Sequence, residues 1–285
     1  MHGSRPPGSI QAERADAFLA ALAADDRPRL PFRAALIVAH PDDETIGCGA
    51  QLPRFVDVTV IHVTDGAPRS LTDAKRRGFT TAEAYADARR AELESAIATA
   101  GLPRECLFPL GWPDQQSTEH LVEIARALAD RLVGTDIVLT HSYEGGHPDH
   151  DTSALAVWAA CALMHRRGEA APAVIEMPLY HHGEDGWARQ VFVAAPGVKE
   201  AEVALTPEER RLKQGMFSAH QSQADVLANF ATDVERFRPA PRYDFSRLPN
   251  GGRLLYEQQQ WGMTGSRWLE LSQAALADLG LAGAA

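Results

Sequence analysis

The chain has 285 residues, of which 45% are hydrophobic and 23% charged, and its formal net charge is −10. That length buries a substantial core, as one large α/β domain or a domain with a small appendage. The acidity argues against nucleic acid and anionic membrane as partners, since both select basic patches. No apolar run reaches the about 18 residues of a membrane span, and MHGSRPPGSI has no apolar secretory core. Cys48, Cys106 and Cys161 are scattered without metal-site spacing. They point to a reducing compartment, the cytoplasm, without a disulfide framework.

The spacing of apolar residues predicts a helix over 12–23, after which strands and helices alternate. Residues 34–39 form a short apolar run that ends in His-Pro and reads as a buried strand. Residues 58–63 are β-branched and lead into the turn signal Thr64-Asp65-Gly66. A long helical pattern over 81–100 is stopped by Gly101 and Pro103. A strand is expected over 106–110, an amphipathic helix over 118–132, a strand over 136–140 and a helix over 152–167. Segments 174–177 and 190–194 are weaker strands. This βαβα order predicts a Rossmann-like, mainly parallel sheet with helices on both faces. Thr206-Pro207-Glu208-Glu209 opens another helix, with Thr206 as cap, Pro207 at the first position and Glu209 completing a capping box. Residues 223–230 read as helix, 237–252 as loop and 268–279 as a terminal helix. The expected organisation is an N-terminal segment and helix over 1–30, a catalytic α/β domain over 31–195, and a C-terminal extension over 196–285 packing on the same domain.

Two motifs carry chemistry. Ala39-His40-Pro41-Asp42-Asp43-Glu44 directly follows the first strand, and Gly145-Gly146-His147-Pro148-Asp149-His150-Asp151 comes shortly after the strand over 136–140. Open α/β sheets place their sites at the carboxyl ends of strands, so the motifs can converge. Each proline pushes the preceding histidine into an extended conformation. Beyond it the chain can turn into a helix. His40 and Asp43, like His147 and His150, are three apart, a spacing that can bring two side chains to one point. Two histidines and an aspartate form a catalytic zinc set, which leaves a position open for water. Of the adjacent aspartates Asp42 and Asp43, one can bind metal while the other takes the water's proton. Either His-Pro-Asp alone is an ordinary turn, and its aspartates are ordinary helix caps. The two together, each at a strand end, favour a metal site.

At these residues the chain resembles the PIG-L/LmbE family of N-deacetylases, whose two signatures are AHPDDE near the N-terminus and HPDH after a later strand. The likeness runs from about Arg33 to Leu155. It implies a zinc ion (Zn2+, or Fe2+ in its place in cells) held by His40, Asp43 and His150. It further implies Asp42 as general base, and His147 as the group that stabilises the oxyanion and protonates the leaving amine. Arg89, in Arg89-Arg90-Ala91-Glu92-Leu93, and Asp114, in Leu110-Gly111-Trp112-Pro113-Asp114, fall where relatives contact substrate. Some relatives have a tyrosine two residues before the first histidine of HPDH. This chain has Gly145 there, with Tyr143 the nearest tyrosine and so the substrate-contact candidate.

The remaining polar residues have competing readings. Asp65 is a turn aspartate or a support of the site, and Arg89 contacts substrate or pairs with Glu92 on a helix surface. Asp149 caps its helix or orients a ligand histidine. His141 is expected only to end its strand, and His62 to be structural. His181, His182 and His220 are candidates for the pocket wall. Gly47 to Gly49 lacks the full phosphate-loop pattern and is expected to permit close helix packing.

The expected function is hydrolysis of an N-acetyl amide on an amino sugar, with water on zinc attacking the carbonyl and Asp42 taking its proton. The rivals are an amidase cleaving a larger N-acyl or thiol-sugar conjugate with the same groups, and a non-catalytic metal- or sugar-binding module. A binding module has no need of a base such as Asp42. The expected partner is a small-molecule amino-sugar substrate, without nucleic acid or a membrane span; homo-oligomers are compatible with this reading.

Overall fold

The computed structural model describes residues 7–259 and 261–283; the first six residues of the expected N-terminal segment lie outside them. In chain order, α1 (Pro7–Ala23) and β1 (Leu30–Val38) lead to α2 (Asp43–Cys48), a 3-10 turn, β2 (Phe55–Thr64), α3 (Thr72–Arg76), α4 (Ala82–Thr99) and β3 (Leu107–Trp112). Then come α5 (Leu121–Arg131), β4 (Ile137–His141), α6 (Pro148–Arg166), β5 (Ala173–Met177) and a small hairpin of β6 (Tyr180–His182) and β7 (Trp187–Arg189). The C-terminal part holds β8 (Ala201–Ala204), α7 (Pro207–Ala219), α8 (Ala224–Leu227), β9 (Val234–Pro239), α9 (Leu255–Gln258) and α10 (Gly265–Asp278).

Seven strands form one sheet in the order β3-β2-β1-β4-β5-β9-β8. The first five are parallel, and β9 and β8 add antiparallel pairs at one edge. The sheet is therefore α/β and mainly parallel, as its element order predicts. A parallel sheet is covered on both faces, so its strands are apolar on both. Along β1, Ala35 and Ile37 point into a core with α5, α6 and α10. Ala34, Leu36 and Val38 point into a second core with α1, α4 and α7. The alternation is the period of two that an extended chain imposes.

Local signals account for several boundaries. The Thr81 hydroxyl accepts from the Ala84 N–H and starts α4. Thr206 and Glu209 form the expected capping box of α7. Gly47 lets α2 approach Met177, whose Sδ would stand 2.8 Å from an added Cβ.

Three expectations are corrected. Residues 190–194 form no strand: Gln190 has φ 53, its carbonyl accepts from Arg236, and the Val193 N–H donates to Glu144. These backbone groups are held by side chains, not by a ladder. Residues 234–239, whose second half has the composition of a loop, form β9. Its Phe237 and Arg238 are buried, and Arg238 sits opposite Glu176 of β5 with Nε 2.9 Å from the carboxylate. A cross-strand hydrogen bond from Arg238 to Glu176 thus outweighs the Pro- and Arg-rich composition. The helix expected over 223–230 shrinks to the single turn of α8.

Candidate active site

The sheet's direction of build reverses between β1 and β4. From β1 the chain moves outward to β2 and β3, and from β4 it moves the other way to β5. A crevice opens at such a switch point, outside the carboxyl ends of the strands. The first motif follows β1 and the second follows β4, so both border this crevice.

The second proline acts as its position predicts. His147 is extended (φ −124, ψ 143) and caps α6, with Pro148 opening the helix. Its Nδ1 accepts the Asp149 N–H at 3.1 Å, so a neutral ring carries its proton on Nε2. In the first motif α2 begins at Asp43, and Asp42 adopts φ 135, a conformation L-residues rarely take. Neighbours hold it there. Its N–H donates to Glu44 Oε2 at 3.1 Å, and its carbonyl accepts from the N–H groups of Thr45 and Ile46. Asp151 Oδ1 accepts from the N–H groups of Glu144 and Gly145, which orders the loop before His147.

The side chains meet in a buried cluster. His40 Nδ1 lies 3.3 Å from Asp43 Oδ2, and His150 Nε2 lies 3.5 Å from Asp43 Oδ1. His40 Nε2 lies 3.2 Å from both Asp114 Oδ1 and Asp149 Oδ2. Among the described residues three sets bring one ligand atom each within 4.8 Å of one another. They are His40 with His147 and His150, His40 with Asp114, His147 and Asp149, and Asp43 with His141 and His150. The expected trio of His40, Asp43 and His150 is linked pair by pair and spread over these sets. His141 does more than end β4. It stacks on His150 at 4.0 Å, its Nε2 is 3.3 Å from Asp43 Oδ2, and it accepts the Ala39 N–H.

The donor set fits a divalent cation. His150 Nε2 and Asp114 Oδ1 are buried without a hydrogen-bond partner. Burial and the nearby His141 push His150 down to about 3, so it stays neutral and able to ligate. Burial and His40 likewise keep His147 well below its ordinary value. The carboxylates of Asp114 and Asp43 overcome burial to hold His40 well above its own. Asp42, Asp43, Asp114 and Asp149 crowd together, with Arg89 the one arginine bonded to any of them among the described residues. A cation offsets that surplus.

Arg89 is buried beneath Asp42. It donates to the Pro41 and Gly66 carbonyls and to Asp42 Oδ2 at 3.0 Å. It makes no pair with Glu92, whose carboxylate accepts from Ser222. Burial pushes Asp42 up to about 6 against the pull of Arg89. Asp149 accepts from the Gln115 and Ser117 N–H groups while facing His40, which fixes that imidazole from behind. Asp65 pairs with Arg69.

Tyr143 is not brought to the cluster. Its hydroxyl donates to the Arg247 carbonyl and its ring packs on Tyr243, Phe245 and Trp268. Its place two residues after β4 turns it into the core under α10. Nor do the other histidines line the crevice. His62 and His220 flank Glu44, His181 faces Glu144, and His182 bonds to the Gly183 carbonyl. Instead the structure adds Tyr180 and Trp261, whose rings lie 5.0 Å from His150 and 4.8 Å from His147. Both line a cavity of about 180 Å3 together with His40, Asp42, Asp43, Arg89, Asp114 and His147. No sequence signal marks them, because each sits in irregular chain or a three-residue strand. A larger cavity of about 400 Å3 between α4 and the β2–β3 edge holds none of these ligand sets.

Residues 35–161 match a family profile described as PIG-L, GlcNAc-PI de-N-acetylase. A 1D-myo-inositol 2-acetamido-2-deoxy-alpha-D-glucopyranoside deacetylase 2 of Catenulispora acidiphila is 28% identical over 160 residues, covering 47% of this chain and 53% of the relative. The corresponding deacetylase of Corynebacterium diphtheriae is 30% identical over 152 residues, covering 44% of this chain and 50% of the relative. The chain thus spans about half the length of the curated relatives it matches. Among solved structures, an A40926 pseudoaglycone deacetylase superposes with a TM-score of 0.56 at 20% identity, covering 75% of this chain and 99% of that one. A triple mutant of a deacetylase from teicoplanin biosynthesis gives 0.57 at 20% identity, covering 74% and 99%. These likenesses show the fold. Residues 35–161 contain both motifs, and over this stretch the chain is similar to the PIG-L family.

Proposed function

We propose that this protein is a metal-dependent amide hydrolase that removes the N-acetyl group from an amino sugar. The observation that carries the reading is the convergence of His40, Asp43, His147 and His150 at the switch point, with Asp42 buried beside them on Arg89. The names of the two deacetylase relatives support it. We assign His40, Asp43 and His150 as ligands of a zinc ion, replaceable by iron in cells. Bound there, it supplies Lewis acidity toward the amide carbonyl and toward water.

Asp42 takes the proton of the attacking water. Its rise to about 6 brings it close to neutral pH, where a general base is most effective. Arg89 holds that carboxylate in place through Oδ2. His147 faces the carbonyl oxygen with Nε2–H, since its Nδ1 is occupied by the Asp149 N–H. It steadies the negative oxygen of the tetrahedral stage, and the proton that Asp42 took from water passes to the leaving nitrogen. Water and amide become acetate and free amine. No described helix is long and apolar enough to cross a membrane. The three cysteines are free, which supports the reducing cytoplasm as the location.

The test is release of free amine from N-acetylglucosamine and its glycosides by zinc-restored protein, beside Asp42→Asn. We expect Asp42→Asn to retain zinc and lose most turnover. Equal turnover in both would mean that another group is the base.

A further inference from the structure

The cavity over the histidines has two unlike walls. One is polar and carries Asp73, Arg76, Arg89 and Gln115. The other is aromatic. Trp261 lies beside His147, Tyr180 beside His150, and Phe230 has its ring 6.2 Å from that of Tyr180. The aromatic wall continues past the cavity. Trp187 stands 5.1 Å from Tyr180 and 6.1 Å from Trp261, and is 37% exposed. Val226, also on the cavity lining, is 38% exposed. Exposed large apolar side chains grouped at a cavity mouth mark a surface that something covers.

The size of the cavity limits what covers them. Its roughly 180 Å3 falls below the range of about 300–1,000 Å3 that encloses drug-sized ligands. That is room for about one acetamido sugar. On the hydrolase reading its reacting carbonyl would lie at the floor, where Ile46, Asp42 and His147 are all buried. A long acyl chain starting there would have to return through space the sugar occupies. A group on the far side of the sugar starts at the rim.

Resting on the hydrolase reading above, we propose that the substrate is a glycoside whose aglycone is apolar, aryl or alkyl, and that Trp187, Val226 and Trp261 hold that aglycone. The test is titration calorimetry on the zinc-loaded Asp42→Asn protein, which should bind without turning over. The probes are free N-acetylglucosamine, both anomers of its para-nitrophenyl glycoside, and N-octanoyl glucosamine. One para-nitrophenyl anomer should bind about tenfold more tightly than the free sugar, the gain expected of one well-covered aromatic contact. Trp187→Ala should remove that preference and leave the affinity for free sugar unchanged. Val226→Ser provides a second variant outside the β6–β7 hairpin and should weaken the preference too. Equal affinity for glycoside and free sugar, no binding of either anomer, or tightest binding of the octanoyl amide would overturn the proposal. Amine release by the wild-type protein is read separately. Release without the glycoside preference overturns the apolar rim alone, and the preference without release overturns the hydrolase reading.

Discussion

Replacing Gly146 with alanine probes how closely the second motif and β6 approach. A Cβ there would stand 2.0 Å from the Tyr180 carbonyl oxygen and 3.1 Å from its carbonyl carbon. Carbon and oxygen approach no closer than about 3.3 Å even in favourable C–H···O contacts. The obstacle is main chain, so no rotamer change relieves it, and β6 and the His147 loop must part by more than about 1 Å. Overpacking of this kind costs about 1–3 kcal/mol. At about 2–4 °C per kcal/mol, the melting temperature should fall by several degrees. The separation also moves Tyr180 off His150, so amine release should fall along with stability. Gly145→Ala is a different perturbation, because Gly145 has φ 73 and its Cβ would meet the movable Leu254 side chain at 2.7 Å. Differential scanning fluorimetry and an amine-release assay on both variants test the reasoning. A Gly146→Ala protein that melts within about 1 °C of wild type and is equally active would refute it.

Arg89→Met leaves Asp42 without its counter-ion and the Pro41 and Gly66 carbonyls unpaired. Breaking a buried pair from one side costs about 3–5 kcal/mol, readable by urea denaturation, and turnover should fall with it. His150→Ala should lose zinc by metal analysis, whereas Tyr143→Phe, altered outside the cluster, should keep it. Burial pushes Glu176 up to about 8 despite Arg238 and the Tyr243 hydroxyl. The folded state therefore holds a proton that the unfolded chain has released above about pH 4.3. Stability from this group is present at low pH and is lost as pH rises toward 8, with a slope of up to about 1.4 kcal/mol per pH unit. Glu176→Gln should flatten that slope in denaturation curves between pH 5.5 and 8.5. An unchanged slope would mean Glu176 is ionised throughout.

Much of the sheet was legible because parallel strands are apolar on both faces and the helices between them carry caps and stop signals. The motifs were legible for a related reason: each sets a His-Pro-Asp at a strand end, and His147 takes the extended conformation that a following proline imposes. What was hidden depends on partners distant in sequence. β9 becomes a strand because Arg238 finds Glu176, 62 residues away. His141 joins the cluster because α6 lays His150 flat against it. Tyr143 lies close to the second motif in sequence, yet its ring is claimed by the aromatic core under α10. Tyr180 and Trp261 reach the site through loop geometry that local periodicity does not encode.

The pairing of β1 with β4 also sets an order of events during synthesis. β1 can pair with β2 soon after both leave the ribosome, but its other edge waits for β4. The second motif emerges roughly a hundred residues after the first, which at 5–20 residues per second is roughly 5–20 s. Through that interval Asp42 and Asp43 have none of the histidines of the second motif beside them. The cluster of histidines and carboxylates is thus completed late, after the half of the sheet that carries His40 has had time to form, and a nascent chain halted before α6 has no means of building it.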